Sequence, residues 1–275
     1  MQFALSTAPQ NCTWSDLLEV WQVADAAPQI HSAWLFDHFY PIFSDPTGPC
    51  LEGWSTLAAL AAVTRRVRLG VLVTGNIHRH PAVLANMAAT VDVVSGGRLE
   101  LGLGAGWNAQ ECGAYGIPLF TVRERLERMD EAAAILTGLL RDETTTYDGK
   151  HYQLIEARCE PKPVQQPSPP LCIGGSGERF TLRTAARYAD HWNYSGGDLA
   201  EFRHKRDVLA QHCAEVGRDP QQIVMSASLG LQDGVDVVMR QAEGFAAEGA
   251  GLAIVGLPAP FDVELLERFT AAIAP

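Results

Sequence analysis

The segment Gly97–Ile117, GRLELGLGAGWNAQECGAYGI, contains an apolar strand that ends in alternating glycines, followed by a tryptophan. Gly102, Gly104 and Gly106 remove side chains where the strand gives way to a loop. A flat ring or a phosphate can therefore lie on the backbone, although glycines at strand ends also serve as packing bends. Strand, loop and helix then recur along the whole chain, so this segment predicts one unit of a repeated β/α architecture.

Eight short apolar segments predict strands, and each is followed by a segment with helical spacing of apolar residues. The predicted strands are Gln2–Thr7, Ala33–Asp37, Val67–Thr74, Leu99–Gly106, Pro170–Gly174, His191–Tyr194, Ile223–Leu229 and Gly251–Leu257. The predicted helices are Ser15–Ala27, Trp54–Thr64, Ala82–Val94, Arg123–Leu140, Arg179–Tyr188, Leu199–Val216, Val235–Glu248 and Val263–Ile273. This alternation predicts an α/β fold, a closed (β/α)8 TIM barrel, with a doubly wound open sheet as the alternative. No linker divides the chain, so we expect residues 1–275 to form a single domain.

One segment interrupts the alternation between the fourth and fifth predicted strands. Thr144–Ile155 predicts a β-hairpin that turns at Asp148-Gly149, and the proline-rich EPKPVQQPSPP after it predicts an extended connection. An insertion at this place can cover an active site at the barrel mouth or be structural decoration.

The composition excludes several classes of partner. The chain has 275 residues, a formal net charge of -11 and no basic blocks, which argues against nucleic acid and against an anionic membrane surface. The six cysteines form no C-x-x-C pair, so we expect reduced thiols and no zinc site. Met1 leads directly into strand-like residues, and no segment approaches the length of a membrane span. We expect a cytoplasmic protein that acts on a small molecule, with a homodimer as an open alternative.

Polar residues at the ends of the second and third strands are candidates for the site, because barrel chemistry takes place at the carboxyl ends of strands. Asp37 and His38 follow the second strand and are candidate catalytic or ligand-binding residues. Thr74, Gly75 and Asn76 follow the third strand, where a hydroxyl, an amide and the backbone can contact a bound ring.

The pair His78 and His80 has the spacing of some metal sites, but the later strand ends supply no matching ligands. We therefore predict no metal.

The fourth and fifth strand ends supply the remaining candidates. Ala105, Gly106 and Trp107 end the fourth strand, and Trp107 can either stack on a planar cofactor or pack under the insertion. Gly174-Gly175-Ser176 lies before a helix, where free N–H groups at the positive end of the helix dipole suit a phosphate.

Three segments together resemble the bacterial-luciferase-like family, and within it the actinobacterial proteins taken to depend on the deazaflavin coenzyme F420. They are FDHFYPI (Phe36–Ile42), the long segment Gly48–Glu111 and IGGSGER (Ile173–Arg179). The resemblance implies a flavin or deazaflavin at the barrel mouth, with its phosphate near Gly174–Gly177. It also implies a strained, sometimes cis, peptide within Leu72–Gly75 that bulges against the ring, and Val73 in this segment is a candidate cofactor-binding residue.

The resemblance also draws attention to the adjacent residues Asp37 and His38, because deazaflavin-dependent members of the family often have an Asp-His pair at the end of the second strand. The sugar-phosphate dehydrogenases of the family carry a Trp and a Glu where this chain has Ile42 and Trp107. That departure argues against a sugar phosphate as substrate and leaves His38 as the candidate acid or base.

The resulting prediction is an oxidoreductase that transfers a hydride between F420 and a C=C, C=N or C=O group, with His38 moving the proton. Two alternatives stay open. One is an FMN-dependent monooxygenase of the same family that uses dioxygen, and the other is a non-catalytic flavin-binding barrel.

Overall fold

The computed structural model describes residues 1–274, which form a closed barrel of parallel strands surrounded by helices. The strands are β1 (Gln2–Thr7), β2 (Ile30–Leu35), β3 (Arg68–Val71), β4 (Thr74–Gly75), β5 (Leu99–Gly104), β6 (Thr145–Asp148), β7 (Gln153–Ala157), β8 (Leu171–Gly174), β9 (His191–Tyr194), β10 (Val224–Gly230) and β11 (Leu252–Leu257). The helices are α1 (Trp14–Ala26), α2 (Gly53–Val63), α3 (Pro81–Ser95), α4 (Ala109–Tyr115), α5 (Val122–Arg141), α6 (Thr181–Tyr188), α7 (Leu199–Glu215), α8 (Val235–Ala247) and α9 (Val263–Ala272).

The pairing of the strands closes the barrel. The order is β3-β2-β1-β11-β10-β9-β8-β5-β4, and a further pairing of β3 with β5 joins the two ends. Since β3 and β4 share one position in the wall, the barrel has the eight positions of a TIM barrel. The predicted fold class is confirmed, and the open sheet is excluded.

The third position in the barrel wall differs from the sequence prediction of one continuous strand. Leu72 and Val73 interrupt it, and the peptide bond between them is cis. The Leu72 N–H donates to the Leu35 carbonyl oxygen at 2.7 Å, so the chain stays attached to β2 where it leaves the regular ladder. The cis bond lies within Leu72–Gly75, where the family resemblance placed it.

A short helix, α4, follows β5 and was not predicted. The Asn108 side chain accepts the Glu111 N–H as the N-terminal cap, and Gly116 ends the helix in the left-handed conformation. This short helix places Glu111 over the barrel mouth.

The predicted insertion between the fourth and fifth barrel strands is confirmed. Strands β6 and β7 pair antiparallel beside α5, but Asp148 pairs with Gln153, so the connecting loop is longer than the tight turn predicted at Asp148-Gly149. The carboxylate of Glu131 in α5 accepts the N–H groups of Lys150 and Tyr152, which holds this longer loop against the helix.

Charged side chains fill the amino-terminal end of the barrel interior. Glu100 is fully enclosed, with Arg68 Nε 2.8 Å and His191 Nδ1 3.6 Å from its carboxylate. Burial raises the pKa of Glu100, but hydrogen bonding and charge from His191 and Arg68 outweigh it and hold the pKa at about 2. Ser226 accepts or donates a 2.7 Å hydrogen bond at the other nitrogen of His191. Among residues 1–274, no helix has both the length and the apolar character to cross a membrane.

Candidate active site

A pocket of about 620 Å³ opens at the carboxyl ends of the barrel strands. Its size is that of a site for a cofactor-sized or drug-sized molecule. It is lined by Ser6, Phe36, Asp37, His38, Ile42, Phe43, Leu72, Val73, Gly75, His78, Gly104, Ala105, Gly106, Trp107, Asn108, Glu111, Gly174, Gly175, Thr181, Asn193, Ser195 and Ser228. These residues come from the ends of most barrel strands, as expected for a TIM-barrel active site.

His38 lies in this pocket with one ring nitrogen held by a buried carboxylate. Its Nδ1 is 2.9 Å from Oε2 of Glu111, and the other oxygen of Glu111 accepts the Phe39 N–H at 2.6 Å. The Glu111 side chain is fully buried, and that of His38 is 13% exposed. A carboxylate only accepts, so Nδ1 of His38 carries the proton in this pair and Nε2 is left for a ligand.

Asp37, the other predicted catalytic residue, is tied into the protein through both carboxylate oxygens. Arg79 donates to them at 2.7 and 2.9 Å, and the Gly75 N–H and His78 Nδ1 lie 2.9 and 3.2 Å from Oδ2. Burial raises the pKa of Asp37, but the hydrogen bonds from His78 and Arg79 outweigh it and lower the pKa to about 2. Asp37 is therefore an anion that fixes the loop after β4, which brings Gly75 and His78 to the pocket.

His78 connects the Asp37 and Glu111 carboxylates. Its Nδ1 is near Asp37, and its Nε2 is 3.8 Å from Oε2 of Glu111. Phe39 packs over the His78 ring with centroids 4.8 Å apart. His38 and Asp37 thus belong to one buried polar network rather than to two independent sites.

The interrupted third strand packs closely against glycines of the neighbouring strands β5 and β8. A Cβ on Gly174 would lie 2.7 Å from Cγ1 of Val73, one on Gly104 would collide with the same side chain, and one on Gly102 would collide with the Val71 carbonyl oxygen. Gly106 is likewise covered, by Ile77 at 2.7 Å. Gly102 and Gly104 therefore make room for the interrupted third strand, while Gly104 and Gly106 line the pocket beside Val73.

Most of the predicted cofactor-binding residues line the pocket, namely Asp37, Val73, Gly75, Ala105, Gly106, Trp107, Gly174 and Gly175. Thr74 does not, because its buried hydroxyl accepts the Trp54 indole N–H at 3.1 Å. Asn76 is turned toward the insertion, where its amide donates to the Tyr152 hydroxyl at 3.3 Å. Ser176 follows Gly175 in the loop and lies outside the pocket lining.

One end of the pocket is polar and carries no charged side chain. It consists of Gly174, Gly175, Thr181, Asn193, Ser195 and Ser228. No side chain caps the N-terminus of α6, and Gly175 has a φ of +110°, a conformation that favours glycine. The amide of Asn193 donates to Ser226 at 3.0 Å and Ser228 at 3.3 Å, which fixes the pocket floor above the charged layer of the barrel.

The opposite end of the pocket is aromatic. Phe36 and Trp107 contact the His38 ring edge to face, with centroid distances of 5.1 and 5.5 Å. Phe43 stacks on Trp107 with an interplanar angle of 7°. Trp54 and Trp192, by contrast, are buried in the core and do not line the pocket.

Several residues of the site were missed from the sequence. Glu111 was not among the predicted site residues, and its signal was the position three residues after the capping Asn108. Thr181 is four residues after Gly177 at the start of α6, which is the signal for its place beside the glycine loop. Ser228 gave no signal, because alternation within a short buried strand does not show which polar residue faces a ligand. Among residues 1–274 no group of three or more His, Cys, Asp or Glu side chains is arranged to hold a metal ion.

The chain belongs to the luciferase-like monooxygenase family, whose sequence profile matches residues 1–269. Uncharacterised proteins of Mycobacterium bovis and Mycobacterium tuberculosis are 34% identical to it over 169 residues, or 62% of this chain. The matched region spans 58% of the length of these relatives.

Solved structures of low sequence identity share the fold. An F420-dependent secondary alcohol dehydrogenase, solved with an F420-acetone adduct, superposes with a TM-score of 0.85 at 18% identity, covering 100% of both chains. The coenzyme F420-dependent tetrahydromethanopterin reductase of Methanopyrus kandleri superposes with a TM-score of 0.79 at 18% identity, and the match covers 99% of this chain and 96% of the reductase. A monooxygenase of Streptomyces bottropensis superposes with a TM-score of 0.78 at 19% identity, and the match covers 98% of this chain and 97% of the monooxygenase. The family profile and the shared fold together define the chain as a luciferase-like barrel protein.

Proposed function

We propose that the protein transfers a hydride between coenzyme F420 and a small organic substrate, with His38 moving the accompanying proton. The observation that carries the proposal is the pairing of His38 Nδ1 with buried Glu111, which leaves Nε2 available in the pocket. The F420-dependent dehydrogenase and reductase that share the fold support the choice of cofactor.

The residues present fit a flavin or deazaflavin. Gly174, Gly175 and Thr181 would hold its phosphate, because the N-terminus of α6 has no side-chain cap and Gly175 carries no side chain there. A Cβ on Gly175 would meet only Thr181, at 3.5 Å, so this part of the loop is open. Val73, Gly75, Ala105 and Gly106 would contact the ring from the adjoining wall.

The bound cofactor supplies or accepts the hydride, and the substrate carbon is reduced or oxidised by the same two electrons. His38 Nε2 gives a proton to the substrate heteroatom or neighbouring carbon during reduction and takes it back during oxidation. Glu111 keeps the imidazole in the required tautomer and stabilises its cationic form. Phe36 and Trp107 contact the imidazole edge to face and give it apolar neighbours.

A monooxygenase that uses FMN and dioxygen is the second candidate. The description of the family and the fold shared with the Streptomyces bottropensis monooxygenase favour it. The same glycine loop and the same wall would hold the phosphate and ring of FMN.

The test is an anaerobic reaction of the protein, loaded with reduced F420, with neutral compounds that carry C=C, C=N or C=O groups. Oxidation of the cofactor with equimolar reduction of one of these compounds is the expected result. A reaction that proceeds only with reduced FMN and dioxygen would support the second candidate. Cofactor binding with no redox change under either condition would leave the non-catalytic barrel.

A further inference from the structure

The aromatic end of the pocket forms a continuous wall beside the group that is proposed to move the proton. From His38 outward it consists of Trp107, 5.5 Å away, and then Phe43, whose ring centroid is 5.6 Å from that of Trp107. Ile42 lines the pocket next to Phe43. A substrate whose reacting atom reaches His38 must lie along these rings.

The two outer rings of this wall are unusually accessible. Phe43 is 91% exposed and Trp107 53% exposed, although both are large apolar side chains. Phe43 also has a φ of +54°, a left-handed conformation that is uncommon for a bulky residue. Accessible apolar surface at the mouth of a polar-ended pocket is typical of a place that a ligand covers.

The charged side chains that line the pocket near His38 are carboxylates. Asp37 and Glu111 line the pocket, whereas no Lys or Arg is among the described residues that line it. The nearby Arg79 already donates to both oxygens of Asp37 and lies 3.4 Å from Glu52. An anionic group on the substrate would therefore find no free cation in this lining, because Arg79 is paired with Asp37 and His38 with Glu111.

From these observations we infer that the substrate is an uncharged molecule with a flat apolar body, which lies against the Phe43–Trp107 stack. The inference rests on the proposed function, since it places the substrate in the same pocket beside His38. The polar end, with Thr181 and the glycine loop, is left to the cofactor.

The test compares two aryl ketones of the same shape, acetophenone and the anionic 4-acetylbenzoate. Calorimetric titrations use the purified protein with and without F420. Acetophenone is expected to bind at least tenfold more tightly than 4-acetylbenzoate. Equal affinities, or tighter binding of the anion, would overturn the inference.

Variants locate the binding. Phe43→Ala and Trp107→Ala are each expected to weaken acetophenone binding about fivefold, since an aromatic pair contributes on the order of 1 kcal/mol beyond its buried area. Ile155→Ala is the control, because Ile155 is 86% exposed on the insertion and lies outside the pocket lining. Unchanged affinity in both aromatic variants would place the ketone elsewhere and refute the proposal.

The ketone titrations can be interpreted separately from the test of the proposed function. Failure of F420 to bind would contradict the cofactor assignment, and the titrations without cofactor would still decide whether the aromatic wall selects a neutral ligand.

Discussion

At the scale of single residues, the chemistry depends on the contact between His38 and Glu111. Glu111→Gln keeps the shape but replaces an acceptor by an amide that can also donate, so the Nδ1–H tautomer of His38 loses its support. We expect kcat to fall at least tenfold, with F420 affinity nearly unchanged.

His38→Ala is the reference for this effect. It removes the proton-transfer group and is expected to lower kcat by roughly 10²–10⁴-fold. Steady-state kinetics with parallel F420 titrations measure both variants. A loss of F420 affinity as large as the loss of kcat would show that His38 acts by holding the cofactor instead.

Asp37 has a structural role, and unfolding measurements over a series of pH values test it. Its folded pKa of about 2 is below the value of about 3.9 in an unfolded chain. The carboxylate therefore contributes stability that is complete above about pH 5 and is lost as the pH falls through 2. The contribution is about 2–3 kcal/mol at neutral pH, and roughly half of it is lost by pH 3.

Urea unfolding of the wild type and Asp37→Asn measures this contribution. The variant is expected to be less stable at pH 7, also because Arg79 loses its charged partner, and the difference is expected to narrow toward pH 3. A difference that stays constant from pH 7 to pH 3 would contradict the assignment of Asp37 as a buried anion.

At the scale of elements, the third position in the barrel wall determines which glycines are required. A Cβ on Gly102 would collide with the backbone carbonyl of Val71, which cannot move without disturbing β3. Gly102→Ala is expected to lower the free energy of unfolding by about 3 kcal/mol or more, or to prevent folding.

Gly113→Ala is the matched control for this prediction. Gly113 lies in α4 with nothing within 4 Å of an added Cβ, so the change is expected to be neutral or slightly stabilising. Thermal unfolding of both variants makes the comparison. Equal stability of Gly102→Ala and the wild type would show that the interrupted strand adapts freely.

The order of strands and helices could be predicted from the sequence because their apolar spacing is local. The interruption at Leu72–Val73 could not be predicted, since LVTG continues the β-branched pattern of a strand. The contacts of Val73 with Gly104 and Gly174 join residues that are far apart in the sequence. The family resemblance supplied that feature instead.

Part of the site was also predictable from local sequence patterns. His38 and the glycine loop follow strands directly, so their place at the barrel mouth follows from the topology. The pairing of His38 with Glu111 joins residues that are 73 positions apart, and Phe43 lies in a loop with no periodic pattern. Neither contact has a local signal.

At the scale of the whole molecule, one outer face carries no exposed charge although the chain has a net charge of -11. It is formed by α2, which has no charged residue, and α3, whose only one is the buried Asp92. Val63, Val83 and Val94 are each about half exposed on these helices. Since two acidic chains associate best through an uncharged surface, we propose that this face joins two copies of the chain.

Light scattering during size-exclusion chromatography tests the dimer. Val94→Glu is expected to convert a wild-type dimer to a monomer, because it places like charges across the symmetric contact. Val216→Glu is the control, since Val216 is exposed at the end of α7. A monomeric wild type, or a dimer that survives Val94→Glu, would refute the arrangement.

A paired fluorescence titration of the purified protein with F420 and with FMN tests the choice of cofactor most directly. We expect saturable binding of F420 at a much lower concentration than FMN, and weaker F420 binding in Thr181→Ala. Tight binding of FMN with no binding of F420 would contradict the deazaflavin assignment and move the chemistry to dioxygen.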